Sequence, residues 1–168
     1  IELGGRAAIF TPNRVMEGYG VNSRIVEEAN ANGASVLLTC DNGIAAFEAI
    51  DEAKKLGMTV IVTDHHEVPF EEHDGKKIYL LPKADAIVDP KQEDCAYPFK
   101  SLCGTGVAYQ LMTLLFRRMK RTMSHQEIFL QYTAIATVAD VMELVGENRI
   151  LVRKGLSYLN HTNHTGCL

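Results

Sequence analysis

Short apolar runs alternate with longer amphipathic ones along this chain, and the alternation predicts its elements. Ala7 to Phe10 (AAIF) reads as a short strand. Asn22 is placed to cap a helix that carries Ile25, Val26 and Ala29 to about Ala31, with Gly33 just past its end. Ser35 to Thr39 (SVLLT) is a compact apolar strand, followed by the turn residues Asp41-Asn42-Gly43. Ile44, Phe47, Ile50, Ala53 and Leu56 recur at helical spacing before Gly57. Thr59 to Thr63 (TVIVT) is the clearest strand, β-branched at every position. A polar, acidic loop over residues 67–77 leads to another strand around Ala86 to Val88.

After Pro98 the pattern turns helical. Gly106 to about Lys120 is apolar at Val107, Leu111, Leu114 and Leu115; Gln126 to Val141 is long and strongly apolar; Arg149 to Leu159 is a third helix. Strand–helix–strand–helix order with continuous apolar strands predicts an α/β fold. Its parallel sheet carries helices on both faces, and the C-terminal third forms a helical layer on one side.

The chain's 168 residues fit one ordinary domain, and 46% hydrophobic with 23% charged residues is a soluble globular composition. No apolar run reaches the roughly 20 residues of a membrane-spanning helix, and no charged-then-apolar leader opens the chain. Cys40, Cys95, Cys103 and Cys167 form no C-x-x-C pair, which suits neither a zinc ribbon nor a disulfide framework, so the cytoplasm is expected. A net charge of −4 argues against a generally basic protein that coats nucleic acid. It leaves room for an enzyme acting on phosphates, because carboxylates gathered around cations lower the net charge. The start at Ile1, without a Met, leads us to expect a piece of something longer.

Ligands of open parallel sheets gather beyond the carboxyl ends of the strands. Asp41 follows SVLLT there, and Asp64 follows TVIVT, with His65 and His66 directly after it. Strands lie about 4.8 Å apart, so side chains from two neighbouring ends reach one ion. A mixed carboxylate and imidazole set suits Mn²⁺, Fe²⁺ or Zn²⁺ better than Ca²⁺. The plain alternative for Asp41 is a turn former, and for a lone histidine a surface position. His73, His125, His161 and His164 lie in polar surroundings and read as surface residues. Asp140 interrupts the apolar IATVADVMEL, where a charge calls for a partner; exposure at a helix end is the competing reading.

At these residues the chain resembles a known family. Val62-Thr63-Asp64-His65-His66-Glu67-Val68-Pro69 resembles the signature of the DHH phosphoesterases. Leu38 to Gly43 is similar to their preceding motif, and Ala134 to Leu144 to their fourth. Three further strings resemble the branch of the family that degrades single-stranded DNA from the 5′ end. They are Pro12-Asn13-Arg14 with Glu17-Gly18-Tyr19-Gly20, AIVDPKQEDCAYPFKSLCGTGVAYQL from Ala86, and GENRILVRKGL from Gly146.

The resemblance implies a Rossmann-like domain and a hydrolase with two divalent metals, Mn²⁺ or Mg²⁺. It implies that Asp41 bridges the metals, that His65 and Asp140 bind the second, and that His66 touches metal or phosphate. Asp64 would orient the site as a carboxylate behind ligating imidazoles. Arg14 is a candidate for a DNA phosphate and Tyr19 for a base, against the alternative of an ordinary capped loop. Arg117, Arg118, Lys120 and Arg121 read as a solvated helix end. Gly104-Thr105-Gly106 fits a tight turn as well as a phosphate contact.

One departure stands out. The family's first motif, Asp-x-Asp, is absent, since no two Asp residues here are one position apart. The expectation is one DHH-type domain over residues 1–168, truncated on its N-terminal side and without a DHHA1-like domain. Such a piece is expected to bind at most one metal and to hydrolyse little. The competing functions are a DHH phosphoesterase for short oligonucleotides or cyclic dinucleotides, and a non-catalytic binding module. Oligomeric state is not readable from the residues.

Overall fold

The computed structural model describes residues 2–164 and 166, with the side chain of Arg14 outside that description, as is Cys167. The chain divides into two compact units, Ala8–Ala96 and Tyr97–Leu168 together with Ile1–Ala7.

The first unit is the α/β part. Parallel strands β1 (Val36–Cys40), β2 (Thr59–Thr63) and β5 (Ala86–Val88) form a sheet in the order β1-β2-β5. Helix α1 (Arg14–Glu17) is one turn capped by Asn13, and α2 (Ser23–Ala31) starts where the Asn22 side chain accepts the Ile25 N–H at 3.0 Å. α2 and α3 (Phe47–Lys55) lay Val26, Ala29, Ala49, Ile50 and Ala53 against Val60 and Val62 of β2, and this is the core. Burying side chains of this size stabilises by about 1.5–3 kcal/mol each for the larger ones. On the opposite face of β1, Val36 and Leu38 remain exposed.

Three expectations are corrected here. Ala7 to Phe10 forms no strand. The helix expected from Ile44 begins at Phe47, leaving Ile44 buried in the lead-in. The acidic loop is in part a hairpin, β3 (Phe70–His73) paired antiparallel with β4 (Lys76–Tyr79). Every position of these strands is exposed, so no alternation of buried and solvated residues marked them. Asp74-Gly75 was the available signal: both adopt positive φ, 52° and 73°, as a two-residue hairpin turn requires.

The second unit is helical: α4 (Gly104–Arg118), α5 (Gln126–Ala139) and α6 (Gly146–Leu159). Gly155 of α6 meets α5 so closely that a Cβ there would collide with the Leu130 carbonyl and Ala134. Buried Asn148 ties the α6 start down, donating to the Ser101 and Glu143 carbonyls at 2.6 and 3.0 Å.

Candidate metal centre

The strand ladder runs one residue past β1 and β2. Asp41 N–H donates to Thr63 O and Asp64 N–H to Val88 O, each at 3.1 Å. With Cys40 opposite Thr63 and Thr63 opposite Val88, the next residues of the three strands are Asp41, Asp64 and Asp89. All three strands of the sheet therefore end in an aspartate on one rim. Asp41 and Asp64 were expected there; Asp89 was not, although Ala86-Ile87-Val88-Asp89 repeats the strand-then-acid pattern.

The three acids differ in surroundings. Asp64 is 1% exposed and fully engaged. Its Oδ2 accepts the Ile44 N–H at 2.9 Å, and its Oδ1 accepts the His65 N–H at 2.8 Å and lies 2.6 Å from His66 Nδ1. Burial alone would raise its pKa, but the Ile44 N–H, the His66 ring and the His65 N–H outweigh burial and hold it below the usual aspartate value. A carboxylate so occupied orients its neighbours and has little left for an ion. Asp41 is the opposite case, half-exposed, with a left-handed φ of 64° at the turn. Its Oδ1 lies 2.9 Å from Nε2 of buried His65.

Gly43 makes this turn possible. It adopts φ 116°, and a Cβ would sit 2.7 Å from Thr39 Oγ1 and 3.1 Å from Val62 Cγ1. Only glycine lets the chain double back against β1 and β2 here.

One ligand atom from each of Asp41, His65 and His66 lies within 4.8 Å of the other two. One carboxylate and two imidazoles, one buried and oriented, fit a divalent transition-metal cation such as Mn²⁺. His66 is exposed, and its ring packs 4.5 Å from that of His65. Tyr19 stands over the same corner: its hydroxyl donates to Asp41 O at 3.2 Å, and its ring meets His66 edge-on at 6.5 Å. At 60% exposure, its ring is open to solvent beside the acids and imidazoles.

Asp140 is not inside an apolar helix. α5 ends at Ala139, and Asp140 is its exposed C-cap residue in the helical unit. The charge is thus accommodated at the helix end. The side chain of Arg14 lies outside the described residues; its neighbour Glu17 pairs with Arg24, whose Nη2 is 2.8 Å from Glu17 Oε2.

The description "DHH family, N-terminal domain" matches residues 3–137, a span that crosses both units. The single-stranded-DNA-specific exonuclease RecJ of Salmonella typhimurium is 43% identical over 157 residues, 88% of this chain and 26% of the relative. That of Bacillus subtilis is 39% identical over 165 residues, 98% of this chain and 19% of the relative. A crystal structure of exonuclease RecJ bound to manganese superimposes with a TM-score of 0.75 at 31% identity, covering 94% of this chain and 37% of that one. RecJ of Thermus thermophilus in complex with Mn²⁺ gives 0.66 at 28% identity, over 87% of this chain and 20% of that one. The chain thus spans about a quarter or less of the curated relatives cited here.

Proposed function

Because the chain belongs to the DHH family, we propose that it is the metal-binding part of a phosphodiesterase that degrades single-stranded DNA from the 5′ end. The observation that carries this reading is the convergence of Asp41, His65 and His66 on the sheet rim. RecJ relatives named single-stranded-DNA-specific exonucleases, and manganese-bound RecJ structures of the same fold, support it.

In this reading Asp41 Oδ1 and His65 Nε2 would hold the cation, and Asp140 is assigned as a metal ligand on the resemblance of its motif alone. Manganese or magnesium bound there would supply Lewis acidity to the scissile phosphate and lower the pKa of the attacking water. Asp64 holds the His66 ring so that its other nitrogen is presented to cation or phosphate. Neutral imidazoles and ionised carboxylates are required, so activity should fall at acid pH. Tyr19 offers the exposed ring on which a base stacks, a contact worth roughly 1–3 kcal/mol. Arg14 is assigned to a backbone phosphate on the resemblance of its motif alone.

No helix among the described residues is long and apolar enough to cross a membrane, and Cys40 and Cys103 are free thiols. Free thiols fit the cytoplasm, to which we assign the protein.

The test is degradation, by the full-length protein with Mn²⁺, of long 5′-phosphorylated single strands against di- and trinucleotides. Preferential loss of the long strand, abolished by Asp41→Ala, is the expected result. Preference for the short substrates would move the protein to another branch of the family. Activity indifferent to Asp41→Ala and His65→Ala would leave only a binding module.

A further inference from the structure

Asp89 is the rim carboxylate that this chemistry leaves without a task. It is 2% exposed, and its Oδ1 accepts the Lys91 N–H at 2.8 Å, forming the turn after β5. Its Oδ2 is buried and has no hydrogen-bond partner among the described residues. A carboxylate oxygen buried without a donor is costly, and folds keep one only where something compensates it. A turn alone does not explain the second oxygen, since Asn or Ser would serve Lys91 as well.

Two further observations place Asp89 beside the rim groups. It is next in register to Asp64, whose N–H bonds to Val88 O, the carbonyl preceding Asp89. It also lies within electrostatic reach of both Asp64 and His65; burial first, and then the Asp64 charge, push its pKa above the usual value. His65 presents Nε2 to Asp41, and its other ring nitrogen, Nδ1, is buried. Imidazoles that ligate a metal through one nitrogen characteristically give the other N–H to a carboxylate.

We propose that Asp89 is a positioning residue of the metal centre, the buried anion that holds His65 in the orientation and tautomer in which Nε2 meets the cation. The proposal rests on the metal-centre reading and deepens it. Asp64 would serve His66 and Asp89 would serve His65, so that β2 and β5 each supply one buried acid for one imidazole, while Asp41 at the end of β1 meets the ion itself.

The experiment is Mn²⁺ titration of the purified protein, with the free ion followed by electron paramagnetic resonance, in wild type, Asp89→Asn, Asp89→Ser, His65→Ala and Asp94→Asn. Both Asp89 variants keep an oxygen for the Lys91 N–H and remove the anion; Asp94→Asn removes an exposed carboxylate five residues on. Ring ¹⁵N shifts of His65 report its tautomer independently of any activity. Expected are an affinity about 10-fold or more lower in both Asp89 variants, an altered His65 tautomer signal, and no change in Asp94→Asn. Wild-type affinity and an unchanged His65 signal in Asp89→Asn would overturn the proposal while leaving the metal centre standing, provided His65→Ala loses Mn²⁺. A wild-type protein that does not bind Mn²⁺ would overturn both.

Discussion

The rim of the parallel sheet and the β3–β4 hairpin contain the same chemical groups and put them to different ends. In the hairpin, His73 Nε2 lies 3.1 Å from Glu71 Oε2; on the rim, His65 Nε2 lies 2.9 Å from Asp41 Oδ1. The contacts are nearly equal in length. The surroundings are not: His73 and Glu71 are both more than 60% exposed, whereas the His65 side chain is 7% exposed. An exposed pair shares its charge with water and contributes at most about 1 kcal/mol. The rim pair is held by a strand end and a glycine-dependent turn, with a buried carboxylate bonded to the backbone on either side of it. The difference teaches that acid and imidazole in contact make a candidate site only where the fold fixes one partner and removes water.

That contrast can be broken by exchanging the roles of the two regions. Replacing His65 with Ala is expected to cost more than about 100-fold in Mn²⁺ affinity, beyond the usual effect of losing a supporting residue, while His73→Ala leaves it unchanged. Equal effects in the same titration would mean that the rim is no more a metal site than the hairpin.

Asp64→Ala removes the acceptor of the buried Ile44 and His65 N–H groups, and a loss of about 3 kcal/mol is expected in urea unfolding. Glu71→Ala, at an exposed position, should change stability by less than about 0.5 kcal/mol. Gly43→Ala places a Cβ against Thr39 at a φ of 116°, and should cost about 1–3 kcal/mol.

The smallest effect is in pH. The pKa of Asp64 is lower in the folded chain than in the unfolded one, so its contribution is complete above the ordinary aspartate value and is lost as pH falls through the folded value. Stability of wild type should therefore drop at the acid end of the range more steeply than that of Asp64→Asn. Parallel acid-unfolding curves for the two proteins would contradict the assignment of Asp64 as a satisfied, ionised carboxylate.

Much of this molecule is legible in its sequence. Thr59–Thr63 is a strand at the expected residues because five β-branched side chains in succession fit a pleated, buried surface. Asn22 caps α2 as its side chain dictates. Asp41, Asp64 and the two histidines were placed at strand ends by position alone. The hairpin was missed because its strands are solvated on both sides, so hydrophobic periodicity had nothing to register there. The pattern places Asp140 inside a helix because apolar residues continue on both sides of a helix end that it does not mark.

By itself the sequence determined the local elements and the residue types that can bind a cation, since propensity, capping and spacing act over a few residues. Which carboxylates are occupied and which are available was decided only by the tertiary structure. Burial and backbone donors come from segments far apart in the chain: Ile44 reaches Asp64 across twenty residues. The row Asp41, Asp64, Asp89 exists only once three strands are in register, because alignment between strands is a property of the sheet.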